Sequence, residues 1–153
     1  MRGGLRVKYE RPSVVEGLFN RLFGLLVRAG IGLRHNVLLQ VRGRKSGRIY
    51  STPVNVLECG GRRYLVAPRG DTQWSRNALA GGEVTLVRAF RGETVKVHPV
   101  ADAAKPEILK AYLDRFATTV QRYFSVRAGS PVDAFRAVAA DYPVFEIART
   151  NGT

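Results

Sequence analysis

The sequence predicts an α+β protein whose centre is an antiparallel, six-stranded barrel with flanking helices. Six short strand-like segments follow one another in hairpin order, and helical periodicity is confined to both ends and one late insertion. Strands joined by short turns favour antiparallel pairing, and about half a dozen such strands usually hide their edges by closing into a barrel. Because the 153 residues contain no repeat, low-complexity tract or inner linker, we expect residues 1–153 to form a single domain.

The first predicted element is an amphipathic helix over residues 13–30. Ser13 followed by Glu16 matches a capping box. Apolar residues recur at three- and four-residue spacing on one face, and Arg21 and Arg28 lie on the other. The helix either docks on the core or lies at a lipid surface with its arginines toward the head groups. These charges argue against a signal peptide or a membrane span, so we expect a cytoplasmic protein, with peripheral contact to the inner face of the membrane as an option.

The other elements follow in chain order. Strands are predicted over residues 36–41, 53–57, 63–67, 83–90, 93–100 and 144–148. Helices are predicted over residues 71–80, 103–124 and 132–140. Asp71 or Thr72 would cap the first of these helices, and Gly81-Gly82 would end it.

The charge of the chain predicts an anionic partner. Twenty-five Lys and Arg against twelve Asp and Glu leave a net charge of +13. Such a field attracts nucleic acid, an anionic membrane, or a small molecule with phosphate and carboxylate groups. The single cysteine, Cys59, allows no internal disulfide, and with so few Cys and His residues we predict no metal site.

Four of the 25 basic residues lie within seven positions of the stretch 41-VRGRKSGRIYSTPVN-55, whose residues 42–48 we call the basic turn. Gly43 and Gly47 allow a ligand to approach the backbone, whose successive N–H groups can bind an anion. Arg44 can bind a phosphate or carboxylate bidentately, Lys45 adds a compact charge and Ser46 adds a hydroxyl donor. The alternative is a solvated hairpin turn. Neither GxxxxGK[ST] nor a GxGxxG after a strand is present, so nucleotide hydrolysis and a Rossmann site have no support.

Four segments together resemble the deazaflavin-dependent nitroreductase family: 43-GRKSGRIYSTPV-54, 65-LVAPRG-70, 74-WSRNALA-80 and 143-PVF-145. The order and spacing of the motifs agree over roughly residues 34 to 100. The resemblance implies an FMN-binding split-barrel-like fold that binds coenzyme F420, in proteins found mostly in actinobacteria. Flavin mononucleotide is a less favoured cofactor, since its phosphate could use the same turn.

The resemblance also implies the residues that contact the cofactor. Residues of the basic turn would bind its phosphate and glutamate tail: Arg44, Lys45, Ser46, Gly47 and Arg48. Residues of the following strand would lie against the ribityl chain: Thr52 and Pro53. Residues after the next hairpin would run beside the ring: Ala67, Pro68, Arg69 and Gly70. Residues of the short helix would fix that helix in place: Trp74 and Asn77.

Catalysis by such a protein needs few side chains. Reduced deazaflavin donates hydride itself, so the protein supplies binding, orientation and electrostatics. The family's reductases use tyrosines from the late helices, which makes Tyr123 and Tyr142, with Tyr112, the candidate catalytic residues. A core role is the alternative for each of them. The loop before Trp74 is shorter than in many relatives, which affects the substrate pocket more than the cofactor site.

Three functions are therefore weighed. The first is an F420-dependent oxidoreductase that passes hydride to a hydrophobic acceptor such as a quinone or nitro compound. The second is a non-catalytic F420- or lipid-binding protein on the same fold. The third, a nucleic-acid-binding barrel, is disfavoured because Tyr50 is the only aromatic residue beside the basic turn for bases to stack on. A homodimer is one option for the oligomeric state.

Overall fold

The computed structural model describes residues 36–89 and 91–149, so the predicted helix over residues 13–30 lies outside the described residues. The strands are β1 (Asn36–Arg42), β2 (Ile49–Cys59), β3 (Arg62–Val66), β4 (Glu83–Arg88), β5 (Arg91–Pro99) and β6 (Val144–Ile147). The α-helices are α1 (Gln73–Gly81), α2 (Lys105–Val120) and α3 (Val132–Arg136). Short 3-10 turns span Asp102–Ala104, Gln121–Tyr123 and Ala139–Asp141.

The six strands close into an antiparallel barrel in the order β1-β2-β3-β6-β5-β4, which confirms the predicted fold class. Pairing of Leu39 with Leu86 joins β1 to β4 and closes the ring. The long strands β2 and β5 each belong to two parts of the barrel: β2 pairs with β1 through residues 49–55 and with β3 through residues 56–59. Each part of these strands therefore pairs with one neighbour, and the ring closes because the two parts of each strand pair on different sides of the barrel.

The apolar residues form two clusters, one inside the barrel and one between the barrel and α2. Alternate residues of β1 point inward, as the period of a strand requires, so that Val37, Leu39 and Val41 belong with Phe145 to the cluster inside the barrel. The second cluster contains the apolar face of α2 with Leu57, Val66 and α3: its members from α2 are Ile108, Leu109, Tyr112, Leu113, Phe116 and Val120.

Strand β2 begins four residues earlier than predicted, at Ile49. Residues 49–52 contain few apolar side chains, but they pair with β1 in the register Val41↔Tyr50 and Leu39↔Thr52. Pro53 is tolerated because it is exposed and, among the described strands, only β1 pairs with this part of β2. The other side of residues 50–55 is therefore open, and it borders the cleft described below.

The predicted helix over residues 103–124 is divided in the structure. Residues 102–104 form a 3-10 turn, and α2 begins at Lys105 with Pro106 in its first turn, where proline leaves no backbone donor unused. Phe116 has non-helical angles (φ −114°, ψ 23°), and α2 ends at Val120 before a second 3-10 turn. No helix within residues 36–89 and 91–149 is long and apolar enough to cross a membrane.

Candidate functional site

The basic turn connects β1 to β2 and owes its shape to its two glycines. The Gly43 N–H donates to the Arg48 carbonyl at 2.6 Å, and the Gly47 N–H donates to the Gly43 carbonyl at 3.0 Å. Gly47 has a φ of 76°, which glycine adopts without strain. A Cβ on Gly43 would lie 2.7 Å from Tyr50 Cε2 and 2.8 Å from Ser46 Oγ, so only glycine fits there without a shift of these side chains.

Ser46 is held inside this turn by two neighbours. Its Oγ accepts the Arg48 N–H at 3.1 Å and lies 3.3 Å from the Tyr50 hydroxyl. Arg42 reaches back along the hairpin and donates from Nη1 to the Gly47 carbonyl at 3.0 Å. Lys45, in contrast, has no hydrogen-bond or ion-pair partner within the described residues, and its side chain is exposed. The turn is thus ordered by its own backbone, and the side chains of Lys45 and Arg48 are left without a partner among the described residues.

Helix α1 begins and ends with defined caps. Thr72 is the N-cap, as one of the two predicted alternatives had it. The Thr72 N–H donates to Ser75 Oγ at 3.0 Å, and the Ser75 hydroxyl donates to the Thr72 carbonyl at 2.9 Å. Asp71 instead pairs with Arg76 at 3.1 Å, and the hydrogen bond from Arg76 lowers the pKa of its carboxyl group. Gly82 ends the helix with a φ of 72°.

Helix α1 also holds the basic turn. Asn77, buried on α1, accepts from Arg44 at both its backbone N–H and its guanidinium. Trp74 faces the barrel, where its ring centroid lies 6.1 Å from that of Phe145. The motif WxxN therefore joins two functions of α1: Trp74 packs the helix on the barrel, and Asn77 ties it to the turn.

A cleft of about 960 Å³ lies between the basic turn, the open side of β2, α1 and the end of α2. This volume is at the upper end of the roughly 300–1,000 Å³ of small-molecule sites. Most of the residues predicted from the resemblance line it: Arg44, Lys45, Ser46, Thr52, Pro53, Pro68, Arg69, Trp74 and Asn77. Segments far apart in sequence are thus brought to one site.

The other four predicted contact residues do not line the cleft. Gly47 and Arg48 complete the basic turn beside it. Ala67 is buried, and its N–H donates to the Pro143 carbonyl at 2.9 Å. Gly70, with a φ of 92°, donates its N–H to the Ala67 carbonyl at 3.0 Å. These residues set the backbone around the cleft, and direct contact with a cofactor stays a prediction for them.

The three candidate tyrosines have different positions. Tyr112 and Tyr123 line the cleft, but Tyr142 does not. The Tyr142 hydroxyl donates to the Tyr123 carbonyl at 3.0 Å, and its ring stacks on Phe124 with centroids 4.3 Å apart. Tyr142 therefore supports the backbone that carries Tyr123.

The tyrosines of the cleft also differ in their electrostatics. Burial raises the pKa of Tyr112 to about 12, opposed in part by a hydrogen bond with Asn55. Tyr123 has two guanidinium groups over its ring, Arg69 at 5.7 Å and Arg122 at 5.0 Å from the ring centroid. Such cation–π contacts hold positive charge beside the ring.

Sequence reasoning missed several residues that line the cleft. They are Tyr50, Ser51, Val54 and Asn55 from β2, Gln73 and Arg76 from α1, and Thr119 and Val120 from α2. Gln73 could have been found, since it stands four residues before Asn77 and so lies on the same helix face. The residues of β2 could not have been found in this way. They face the cleft because β3 pairs only with residues 56–59 of β2, and no local pattern indicates where that pairing ends.

The chemistry of the cleft fits an anionic, extended cofactor. Arg44 and Lys45 offer cationic donors at the basic turn, and Pro68, Trp74 and Val120 offer apolar walls. Ser51 Oγ is buried and has no hydrogen-bond partner within the described part of the chain. A buried polar group without a partner costs about 1–3 kcal/mol, which a ligand that bonds to it would offset.

The chain belongs to the F420H2-dependent quinone reductase family, whose model matches residues 22–130. That match covers more than half of the chain and includes the whole basic turn and α1. Family membership implies the reduced deazaflavin F420 as cofactor or cosubstrate. The coarse part of the resemblance, an F420-dependent reductase on a split barrel, is thereby confirmed. A search of curated proteins finds no match.

Solved structures show the same fold at low sequence identity. An F420-H2-dependent reductase, FDR-A, has a TM-score of 0.51 and 18% identity, with 75% of this chain and 95% of that chain covered. HutZ, the heme storage protein from Vibrio cholerae, has a TM-score of 0.54 and 10% identity, with 90% and 91% covered. A structure described as a domain-swapped dimer has a TM-score of 0.50 and 16% identity, with 91% and 100% covered.

Proposed function

We propose that this protein is an F420H2-dependent reductase that transfers hydride to a hydrophobic small-molecule acceptor such as a quinone or nitro compound. Family membership supports the cofactor. The observation on which the proposal rests is the cleft of about 960 Å³, whose lining combines residues of the basic turn with the apolar residues Pro68, Trp74 and Val120. The protein's task is to bind and orient two reactants, which requires no nucleophile or metal of its own.

The basic turn is proposed to bind the anionic part of the cofactor. Lys45 is exposed and has no partner among the described residues, so it can meet a phosphate or carboxylate without breaking a bond. Arg44 is held in a fixed orientation by α1, which reduces the entropy lost on binding. Ser46 Oγ lies between Arg48 N–H and the Tyr50 hydroxyl at the same end of the cleft.

The remaining cleft residues are proposed to hold the ring and the acceptor. F420H2 would supply the hydride when bound, and Pro68, Trp74 and Val120 would offer its ring apolar walls. Arg69 and Tyr123 form a cation–π pair that also lines the cleft. A guanidinium and a phenolic O–H can stabilise negative charge that develops on an acceptor oxygen. Tyr112 is protonated at neutral pH, and because burial raises its pKa further, to about 12, it serves as a hydrogen-bonding group of the cleft and not as a base.

The first test is a titration of the purified protein with F420, with flavin mononucleotide in parallel. Lys45→Ala removes the exposed cation of the basic turn. The matched control is Lys96→Ala, because Lys96 is also exposed, lies on β5 and is not part of the cleft. Loss of one charge-assisted hydrogen bond, worth about 1.5–3 kcal/mol, predicts F420 binding at least tenfold weaker in Lys45→Ala. Lys96→Ala has the same net charge as Lys45→Ala, but it should bind F420 as tightly as the wild type does.

Other outcomes would change the proposal in defined ways. An equal loss in both variants would mean that only net charge matters, which contradicts a specific role of the basic turn. Tighter binding of flavin mononucleotide than of F420 would make the former the cofactor. Tight F420 binding without oxidation by any quinone or nitro compound would leave the alternative of a non-catalytic F420- or lipid-binding protein.

Membrane contact and dimerisation are separate proposals. Contact with an anionic membrane rests on the amphipathic pattern of residues 13–30 and is tested by sedimentation with vesicles rich in anionic lipid. A variant with Arg21 and Arg28 changed to Gln should bind these vesicles more weakly, and equal binding would contradict the contact. Sedimentation equilibrium of the full chain tests the homodimer.

A further inference from the structure

The residue of the basic turn with the most contacts outside it is Arg44. Its backbone N–H donates to Asn77 Oδ1 at 3.0 Å, and its Nη1 donates to the same Oδ1 at 2.7 Å. Nη1 also donates to Gln73 Oε1 at 3.1 Å. Both acceptors stand on α1, one turn apart, so one helix face fixes both the backbone and the side chain of Arg44.

These acceptors are neutral carboxamides, and this decides what they do to the charge. An arginine held by a carboxylate is neutralised locally, whereas one held by an amide oxygen keeps its full charge. Within the described residues no carboxylate lies within ion-pairing distance of Arg44. Asp71 is close enough for the charge of Arg44 to contribute, as the smallest cause, to the lowered pKa of its carboxyl group, but its ion pair is with Arg76. The Nη2 and Nε donors of Arg44 have no partner in that part of the chain.

We propose that Asn77 and Gln73 are positioning residues: they fix Arg44 for an anionic ligand of the basic turn while leaving its charge uncancelled. This inference rests on the proposed function, in which the ligand is the phosphate or glutamate tail of F420. Nη1 is used for positioning, and the Nη2 and Nε edge of the guanidinium is the part left for the ligand. Asn77 is 4% exposed and is shielded from solvent, which strengthens its two bonds to Arg44.

A comparison of alanine with acidic variants separates this role from a merely structural one. Gln73→Ala removes one positioning bond, while Gln73→Glu keeps an acceptor oxygen in place and adds a negative charge. If Gln73 only stabilised the turn, the Glu variant would bind anions better than the Ala variant. If the uncancelled charge matters, the Glu variant binds worse than the Ala variant. Asn77→Ala and Asn77→Asp give the same comparison at the buried position.

The test measures the Kd for F420 at two ionic strengths, with thermal unfolding as the check on folding. We expect Gln73→Ala to weaken binding about threefold and Gln73→Glu about tenfold, with a shallower salt dependence in the Glu variant. Ala80→Glu is the matched control, because Ala80 is an exposed residue of the same helix outside the cleft. It should bind within about twofold of the wild type, since its charge is not paired with Arg44.

A second probe, inorganic phosphate followed through the backbone amide shifts of Arg44 and Lys45, separates this inference from the proposed function. Suppose that the wild type binds no F420, but that the phosphate affinity read from these amide shifts falls from the wild type to Gln73→Ala and again to Gln73→Glu. The proposed function then fails and the positioning role stands. If the wild type binds F420 and Gln73→Glu binds at least as well as Gln73→Ala, the positioning role is overturned. Phosphate that shifts no amide, together with no F420 binding, overturns both.

Discussion

Single residues decide the shape of the cleft rim, and Gly43 shows this most directly. Gly43→Ala would place a Cβ against Tyr50 and Ser46, both exposed side chains that can move. We therefore expect a modest loss of stability, about 1 kcal/mol, but at least a fivefold weaker binding of F420, because Ser46 leaves its place in the turn. Chemical denaturation and the F420 titration measure the two effects.

Gly81→Ala is the control for this substitution. Gly81 is the last residue of α1, and an added Cβ meets nothing within 4 Å. Alanine there should leave binding unchanged and leave stability equal or up to about 1 kcal/mol higher. A Gly43→Ala protein that binds F420 as tightly as Gly81→Ala would show that the turn tolerates rearrangement.

The buried phenol of Tyr112 predicts a loss of stability at high pH. Burial raises its pKa from 10.0, the value expected in the unfolded chain, to about 12 in the folded protein. The resulting contribution to stability is therefore fully present at pH values below the unfolded pKa. The contribution is lost as the pH rises from 10 toward 12, with a limiting slope of about 1.4 kcal/mol per pH unit for one proton. The free energy of unfolding, measured from pH 8 to 11, should fall less steeply above pH 10 in Tyr112→Phe than in the wild type. Equal slopes in the two proteins would mean that Tyr112 ionises as easily in the folded protein as in the unfolded chain.

At the scale of elements, helix α1 links the stability of the fold to the geometry of the cleft. Its N-terminus depends on the exchange of hydrogen bonds between Thr72 and Ser75, which is 2% exposed. Ser75→Ala should cost about 1 kcal/mol of stability, as losses of helix caps do. Because α1 also holds Arg44, the same variant should weaken F420 binding several-fold, whereas the exposed substitution Leu79→Ala should change neither. Thermal unfolding and the F420 titration follow both quantities.

An element can be predicted from the sequence when local patterns determine it, and it is missed when pairing with distant segments determines it. The strand-like run of β1 and the capped start of α1 are local patterns, and both were predicted within a residue or two. The start of β2 at Ile49 was missed, since residues 49–52 become a strand only through pairing with β1. The kink at Phe116 was missed for a related reason: apolar periodicity continues through it while the backbone departs from helical angles.

The same reasoning applies to the cleft. The basic turn could be recognised because its charge and its glycines are adjacent in sequence. The bonds from Arg44 to Asn77 and Gln73 join residues about 30 apart, and no local pattern indicates them. Tyr123 and Tyr142 were equal candidates in the sequence, and only their placement separates a residue that lines the cleft from one that supports it.

For the whole molecule, the net charge of +13 predicts strongly salt-dependent binding of an anionic cofactor. The Debye length falls from about 10 Å at 0.1 M to about 3 Å at 1 M, so the field beyond the direct contacts is screened. The Kd for F420 should rise several-fold between 0.05 and 0.5 M salt, roughly following that screening. A deazaflavin without the phosphate and glutamate tail should bind weakly at every salt concentration. Equal salt dependence of the two ligands would mean that the tail is not what the charge attracts.

The central claim is that the cleft brings F420H2 and a hydrophobic acceptor together for hydride transfer. The most direct measurement is the reoxidation of F420H2, followed by its absorbance, with purified protein and a panel of quinones and nitro compounds. We expect protein-dependent oxidation with at least one acceptor, and a lower rate at subsaturating F420H2 for Lys45→Ala than for Lys96→Ala. Tight binding of F420H2 with no acceleration by any acceptor would contradict it and would identify a binding protein on the same fold.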